Sequence, residues 1–164
     1  KQKGFDRLLR SFAEMPAESH LTILGAGPLM EQLHNLVVEL GCQSRVNFTG
    51  FVENPWPYFA GADAFLLASK WEGMPNVLLE AGAAGIPIVS TRVEGAEEII
   101  TSGECGVLVG ISQQDELANS ISDCLNAPQS AQLRASRLQG VIREQFTWYS
   151  VVESYSRLYA SLLA

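Results

Sequence analysis

Residues 64–91, with the sequence AFLLASKWEGMPNVLLEAGAAGIPIVST, carry the clearest signal of the fold class. This stretch begins with the short apolar run Ala64–Ala68 and ends with a second one, Pro87–Thr91. Both runs have the length and composition of parallel strands that are covered on both faces. Between them a polar loop leads through Pro75, expected at the first helical position, into the helical pattern Asn76–Ala84. The stretch therefore predicts one βαβ unit.

The same alternation continues through the rest of the chain. Further short apolar runs predict strands at His20–Leu24, Arg45–Thr49 and Gly106–Val109. Further helical patterns cover residues 5–12, 29–40, 115–125, 131–145 and 149–163. Alternating strands and helices predict an α/β, Rossmann-like fold: a doubly wound parallel sheet with helices on both faces.

Composition narrows the possible functions. The 164 residues, 47% of them hydrophobic and 18% charged, predict a single globular domain over residues 1–164. The net charge of -7 argues against nucleic acid as a partner, so a phosphate-bearing ligand must be bound by local groups. Three well-separated cysteines favour buried, reduced thiols in a cytoplasmic protein.

The two ends of the sequence lead to a further expectation. Lys1 comes directly before a helical pattern, whereas a doubly wound sheet normally opens with a strand. We therefore expect this domain to be a fragment that lacks its first strand. The pattern at the other end, Val151–Leu163, has a wide apolar face, part of which we expect to cover a neighbouring domain.

Ligands of such sheets bind beyond the carboxyl ends of the strands, so the strand-to-helix junctions are the places to search. The first junction, Gly25-Ala26-Gly27-Pro28, resembles the start of a dinucleotide fingerprint, but Met30 stands where its third glycine would be. A nicotinamide-dependent enzyme is therefore disfavoured. Two interpretations of the glycines stay open: a tight turn that lets a helix start close to the sheet, and a backbone that a ligand can approach.

The junction after Ala64–Ala68 carries more chemistry. The free amides around Asn76–Leu78 form a potential anion site at a helix N-terminus, and Glu72 and Glu80 flank it. Carboxylates repel phosphate but accept hydrogen bonds from hydroxyl groups. The arrangement suggests a ligand with hydroxyl-rich groups on both sides of a phosphate bridge. The simpler alternative is that Glu72 is a solvated loop residue and Glu80 a surface residue.

Other candidates are weaker. Lys3, at the start of the first helix, is either a solvated charge or a phosphate partner. Trp56, Trp71 and Met74 are either pocket walls or core residues. The two histidines have no cysteine or carboxylate at ligand spacing, so we expect no metal site.

Taken in order, these motifs resemble the C-terminal, donor-binding domain of a GT-B retaining glycosyltransferase of the group often called group 1 or family 4. Any one motif is weak, but the series covers essentially the whole chain. The matching blocks are Lys3–Asp6, Gly25–Leu29, Arg45–Val52, Glu72-Gly73 with Glu80-Ala81, Ala83–Val89 and Gly103–Val109.

The resemblance implies a sugar transfer from a nucleotide-sugar to an acceptor with retention of configuration, of hexosyltransferase type, without a metal or other cofactor. Glu72 would serve catalysis by contacting hydroxyls of the donor sugar, and Glu80 would contact the ribose. The candidate donor-binding residues are Lys3, Gly25, Gly27, Phe51, Val52, Gly73, Met74, Pro75, Asn76, Val77 and Glu80. Phe51 and Val52 match the segment that contacts the base.

The resemblance also implies what lies outside this chain. The acceptor, a glycan or lipid-linked sugar of polysaccharide biosynthesis, would bind an N-terminal domain that is absent here. The family usually has an arginine shortly before Lys3, so we expect an incomplete diphosphate site and an inactive isolated fragment. The intact protein would be cytoplasmic, with peripheral membrane association left open. Two alternatives remain: a GT-B nucleotide-sugar epimerase and a non-catalytic nucleotide-sugar-binding module.

Overall fold

The computed structural model describes residues 1–163, in which strands and helices alternate. The strands are β1 (Leu21–Leu24), β2 (Val46–Gly50), β3 (Phe65–Leu67), β4 (Ile88–Thr91) and β5 (Val107–Val109). The helices are α1 (Phe5–Ala13), α2 (Met30–Glu39), α3 (Trp56–Ala60), α4 (Asn76–Ala84), α5 (Glu94–Ile99), α6 (Gln114–Asn126), α7 (Pro128–Gln145) and α8 (Trp148–Leu162).

The strands form two parallel sheets. In the first, β1 pairs with β2, and Leu21 lies opposite Val46. In the second, the order is β3-β4-β5, and Val89 at the centre lies opposite both Leu66 and Val107. The predicted α/β class and the predicted strands are confirmed. The expected single sheet is instead divided between β1 and β3, because no described strand lies between them.

Helices cover the sheets from both sides and create two apolar cores. On one face α1, α2 and α6 form a core that includes Leu9, Ile23 and Leu117. On the other face α4, α5 and α7 pack over β3–β5, with Leu78 and Leu138 fully buried. The three-stranded sheet is therefore covered on both faces, as its near-continuous apolar strands predict.

The short helix α3 was not expected from the sequence. It follows Pro55 and contains Pro57, residues that also suit a loop. The helix buries Phe59, whose ring packs edge-to-face on Phe65 with the centroids 6.0 Å apart. Trp56 stays half-exposed, so it is not a core residue.

Helix α8 differs from the other helices, since none of its residues is buried. A capping box between Thr147 and Ser150 begins the helix, and large side chains such as Tyr155 and Leu162 are exposed along it. The expectation that a neighbouring domain covers its apolar face stays a prediction. Among the described residues, no helix is both long enough and apolar enough to cross a bilayer.

The three cysteines are free and buried, as predicted. Burial raises the pKa of the Cys124 thiol, and the nearby Arg134 opposes this only in part. A buried thiol with a raised pKa is a poor nucleophile, so Cys124 is a structural residue.

Candidate active site at the β3–α4 junction

The loop between β3 and α4 holds the carboxylate of Glu72 in a fixed position. Ser69 Oγ donates to Glu72 Oε1 at 2.6 Å, and Lys3 Nζ lies 2.7 Å from the same oxygen. Gln2 Nε2 donates to the other carboxylate oxygen at 3.4 Å. Only 9% of the Glu72 side chain is exposed. The interpretation of Glu72 as a solvated loop residue is therefore wrong.

Ser69 is itself anchored to the neighbouring strand. Its side chain has no exposed surface, and its carbonyl oxygen accepts a hydrogen bond of 2.6 Å from Thr91 Oγ1. Thr91, the last residue of β4, is equally buried. The contacts of Ser69 thus connect the Glu72 carboxylate to the centre of the three-stranded sheet.

Helix α5 supports the same loop from the other side. A Cβ atom added at Gly95 would collide with the carbonyl group of Gly73 and with the ring of Pro75. Glycine at this position therefore lets α5 approach the loop backbone closely. Sequence reasoning missed Gly95, and a glycine in the first turn of a short helix was the only signal that could have indicated it.

The segment before α1 also packs on this edge of the sheet. Lys70 N–H donates to the Gln2 carbonyl at 2.8 Å, and Arg7 Nη2 donates to the Ala68 carbonyl at 2.7 Å. Burial lowers the pKa of the Arg7 guanidinium, an effect that Asp6 partly offsets. Gly4 has a φ of 62°, and a side chain there would collide with the Ala68 carbonyl. These contacts bring Lys3 to the candidate site.

Helix α4 starts directly after the loop. The sequence predicts Pro75 as the first helical residue, but in the structure Pro75 is the residue before the helix. Its ψ of 91° is extended, so the helical conformation begins only at Asn76. The amides of Asn76 and Val77 precede the first intrahelical hydrogen bonds and form the positive end of the helix. Glu80 lies in the second turn of α4 and is exposed. Both interpretations of Glu80 stay open.

The β1–α2 junction is built differently. Gly25 has a φ of 121°, and its N–H donates to the Gly50 carbonyl at 2.7 Å. In the described part of the chain, nothing lies within 4 Å of a Cβ added at Gly25 or Gly27. Close packing of α2 therefore does not require these glycines. The left-handed backbone accounts for Gly25, and the space beside Gly27 is open to a ligand.

A groove of about 1940 Å³ lies between β1 and β3 and reaches both junctions. Several predicted donor-binding residues line it: Lys3, Gly25, Gly27, Phe51, Val52 and Val77. The remaining predicted site residues, Glu72, Gly73, Met74, Pro75, Asn76 and Glu80, are not among the lining residues and lie on the adjoining loop and helix. Glu72 is joined to the lining set by its contact with Lys3.

Two aromatic side chains and one methionine near the site are exposed. Trp71 is 57% and Met74 42% exposed, so neither is a core residue, and Phe51 is 81% exposed. In residues 1–163, no three His, Cys, Asp or Glu side chains come together as a potential metal-binding group.

Comparison with known protein families identifies the family to which the chain belongs. The family model described as glycosyl transferases group 1 matches residues 1–127, well over half of the sequence. The chain belongs to the group 1 glycosyltransferases. The resemblance found in the sequence is thereby confirmed.

Two curated relatives illustrate what the chain is similar to. The lipopolysaccharide core biosynthesis glycosyltransferase LpsE of Rhizobium meliloti is 35% identical over 162 residues, which is 98% of this chain and 47% of LpsE. The N-acetyl-alpha-D-glucosaminyl L-malate synthase of Bacillus anthracis is 30% identical over 165 residues, 99% of this chain and 43% of that protein. The chain thus spans less than half the length of these relatives.

Solved structures show the same partial coverage, in which nearly all of this chain matches less than half of a longer protein. Anabaena HepE in complex with UDP-glucose superposes with a TM-score of 0.89 at 27% identity, covering 98% of this chain and 46% of HepE. The sucrose-phosphate synthase of Thermosynechococcus elongatus gives a TM-score of 0.88 at 25% identity, covering 99% of this chain and 43% of the synthase. The fold is that of one half of a GT-B glycosyltransferase.

Proposed function

We propose that this chain is the donor-binding half of a retaining glycosyltransferase and binds a nucleoside diphosphate sugar at the β3–α4 junction. The observation that carries this proposal is the Glu72 carboxylate, nearly buried and oriented by Ser69, Lys3 and Gln2 directly before the N-terminus of α4. A carboxylate positioned in this way suits the hydroxyl groups of a sugar. Complexes of Anabaena HepE with UDP and with UDP-glucose support the ligand class.

The diphosphate would bind at the start of α4. The amides of Asn76 and Val77 would donate to its oxygens, and the helix dipole would stabilise the negative charge that develops on the leaving nucleotide. Lys3, now paired with Glu72, would move its ammonium group to the diphosphate. That exchange would free Glu72 Oε1 to accept a hydrogen bond from a sugar hydroxyl.

The rest of the donor would extend on either side of the diphosphate. Glu80 would accept hydrogen bonds from the ribose hydroxyls, and Phe51 and Val52 would contact the base along the groove. The glycan or lipid-linked acceptor would bind the other half of a GT-B enzyme of polysaccharide biosynthesis, which we propose acts in the cytoplasm. We also propose, from the family resemblance, that donor binding needs no metal ion.

Calorimetric titration of this chain with UDP, GDP, ADP and the corresponding sugar nucleotides tests the proposal. We expect weak binding of one nucleotide series, with the sugar nucleotide bound more tightly than the free diphosphate and with no effect of EDTA. Glu72→Gln should abolish the preference for the sugar nucleotide, whereas Glu144→Gln, at an exposed position on α7, should not. Equal affinities in all three proteins would contradict the proposal.

Turnover by a full-length protein that contains this chain distinguishes an enzyme from a binding module. Because Glu72 would contact the reacting sugar, Glu72→Gln should lower kcat by about 100-fold. Unchanged turnover would favour a non-catalytic role for this site. The same nucleotide-sugar site could serve an epimerase, but the curated relatives described above are named as a glycosyltransferase and a synthase.

A further inference from the structure

Buried polar side chains are concentrated at one place in the molecule. In the described part of the chain four polar side chains are buried, and three of them, Ser69, Ser90 and Thr91, lie together at the carboxyl ends of β3 and β4. The fourth, Ser11 in α1, donates to the Gln114 carbonyl at 3.3 Å. Burying a hydroxyl group costs free energy unless it is hydrogen-bonded. The partners of these three hydroxyls therefore show what the cluster does.

The Thr91 hydroxyl takes the place of a backbone donor where β3 leaves the sheet. Leu67, the last residue of β3, lies opposite Ser90. Thr91, the next residue of β4, lies opposite Val109 of β5, and the described register gives it no partner in β3. Instead, Thr91 Oγ1 lies 2.6 Å from the Ser69 carbonyl oxygen and 3.3 Å from that of Leu67. A side chain of β4 thus anchors the first part of the β3–α4 loop.

This anchor determines where the Ser69 side chain lies. Because the peptide group is planar, a hydrogen bond to the Ser69 carbonyl orients the backbone from which its side chain projects. Ser69 Oγ in turn donates to Glu72 Oε1 at 2.6 Å. The other group at this oxygen, the Lys3 ammonium, belongs to a half-exposed side chain, whereas Ser69 has no exposed surface. Ser69 is therefore the more rigid support of the carboxylate, and it depends on Thr91.

Ser90 shows that this arrangement is specific to Thr91. Ser90 is equally buried and also ends β4, but its hydroxyl donates to the Thr91 carbonyl at 2.9 Å, within its own strand. Of the two hydroxyl residues, Thr91 is the one whose side chain contacts the loop. Thr91 has no exposed surface, so it cannot itself contact a ligand. Its effect on the site must pass through Ser69.

We propose that Thr91 is a positioning residue of the active site, whose hydroxyl acts through Ser69 to hold the Glu72 carboxylate where a hydroxyl group of the donor sugar binds. This role rests on the proposed function, because it assigns Thr91 to recognition of the sugar and not of the nucleotide. Groups that are held in place before binding lower the cost of recognition. Loss of the Thr91 hydroxyl should therefore weaken binding of the sugar nucleotide and spare the free diphosphate.

Two substitutions of Thr91 isolate the hydroxyl. Thr91→Ala removes the hydroxyl and the methyl group, whereas Thr91→Ser removes only the methyl group. Calorimetry is carried out with UDP and UDP-glucose, GDP and GDP-mannose, and ADP and ADP-glucose. We expect Thr91→Ala to lower the preference for the sugar nucleotide about fivefold and to change the affinity for the free diphosphate by less than about twofold. Thr91→Ser should keep the preference of the wild type.

A matched control and a double variant separate positioning from a general loss of structure. Thr49 Oγ1 makes a similar contact in the other sheet, 3.4 Å from the Ile23 carbonyl, and Thr49→Ala should leave the preference unchanged. Because Thr91 acts through Ser69, Ser69→Ala combined with Thr91→Ala should lose no more preference than Ser69→Ala alone. A combined loss equal to the product of the two single losses would overturn the proposal, as would equal weakening of both ligands in Thr91→Ala.

NMR of the protein without nucleotide tests the same chain of contacts. The Hα–Hβ coupling constants of Ser69 report its χ1 rotamer. We expect a single rotamer in the wild type and in Thr91→Ser, and a mixture of rotamers in Thr91→Ala. Ser11, buried in α1, serves as the internal reference. Unchanged coupling constants of Ser69 in Thr91→Ala would overturn the proposal whatever the ligands do.

The two measurements fail in different ways. A wild type that shows no preference for any sugar nucleotide would contradict the proposed function, while the coupling constants would still decide whether Thr91 positions Ser69. If Thr91→Ala does not fold, Thr91→Val, which keeps the volume of the side chain, takes its place with the same expected results.

Discussion

The two strand-to-helix junctions that border the groove differ in how they are supported. At the β1–α2 junction no protein atom lies within 4 Å of a Cβ added at Gly25 or Gly27, in the part of the chain that the structure describes. At the β3–α4 junction Glu72 is held by neighbouring side chains, and Gly95 of α5 contacts the loop backbone. The β1–α2 junction leaves open space, whereas the β3–α4 junction holds its side chains in place before any ligand binds. Fixed geometry at the reacting end of a ligand is what catalysis requires.

The largest expected effect comes from the support of the second junction. Gly95→Ala adds a methyl group where the Gly73 carbonyl and the Pro75 ring already lie. The gain in helix propensity is at most about 1 kcal/mol, whereas such a collision costs about 1–3 kcal/mol and displaces the loop. We expect a lower free energy of unfolding in urea and loss of sugar-nucleotide binding. Gly140→Ala in α7, where a Cβ meets open space, should instead stabilise the protein.

Ser69→Ala should have the next largest effect. It removes a partly buried hydrogen bond of 2.6 Å to a carboxylate, and bonds to charged groups contribute about 1.5–3 kcal/mol. We expect a lower free energy of unfolding and a fall of about tenfold in the preference for the sugar nucleotide over the free diphosphate. Ser90→Ala, equally buried but bonded to the Thr91 carbonyl, is the control. A similar loss of preference in both variants would rule out a specific positioning role for Ser69.

Lys3→Met should weaken binding while leaving stability nearly unchanged. The Lys3 side chain is 52% exposed, so its ion pair with Glu72 contributes less than about 1 kcal/mol to folding. A charge-assisted contact with the diphosphate is stronger, and we expect about tenfold weaker binding of the free diphosphate in calorimetry. Arg137→Met removes a cation that is 46% exposed, close to the exposure of Lys3, from its pair with the exposed Glu104 and should leave binding unchanged. Equal diphosphate affinity in the wild type and Lys3→Met would show that Lys3 does not contact the diphosphate.

The smallest effect is expected at the first junction. A Cβ added at Gly27 would contact no neighbouring atom, and the φ of Gly27 is not positive. The free energy of unfolding of Gly27→Ala should therefore differ from that of the wild type by less than about 0.5 kcal/mol. If a ligand approaches the backbone there, the methyl group should weaken sugar-nucleotide binding by about threefold. Unchanged affinity would show that no ligand approaches the backbone at Gly27 and that this glycine serves only the turn.

The sequence predicted the strands and most helices because buried strands are short apolar runs with clear boundaries. It also singled out Glu72, because a glycine, a proline and a helix start surround it. Ser69 and Gly95 were missed because their roles depend on contacts with Glu72 and Gly73 across the fold, and no local pattern records such contacts. The division into two sheets likewise depends on which strands become neighbours, a property of topology that local composition does not contain.

The hydrogen bond between Lys70 and Gln2 has a practical consequence for handling the protein. It holds the first residues of the chain at the mouth of the groove, within two positions of Lys3. An affinity tag joined to Lys1 would therefore start beside the proposed diphosphate site and compete with ligand for space, and a polyhistidine tag would add titrating charge there. A tag placed after α8 avoids both effects, so purification from that end is the better choice for every titration described above.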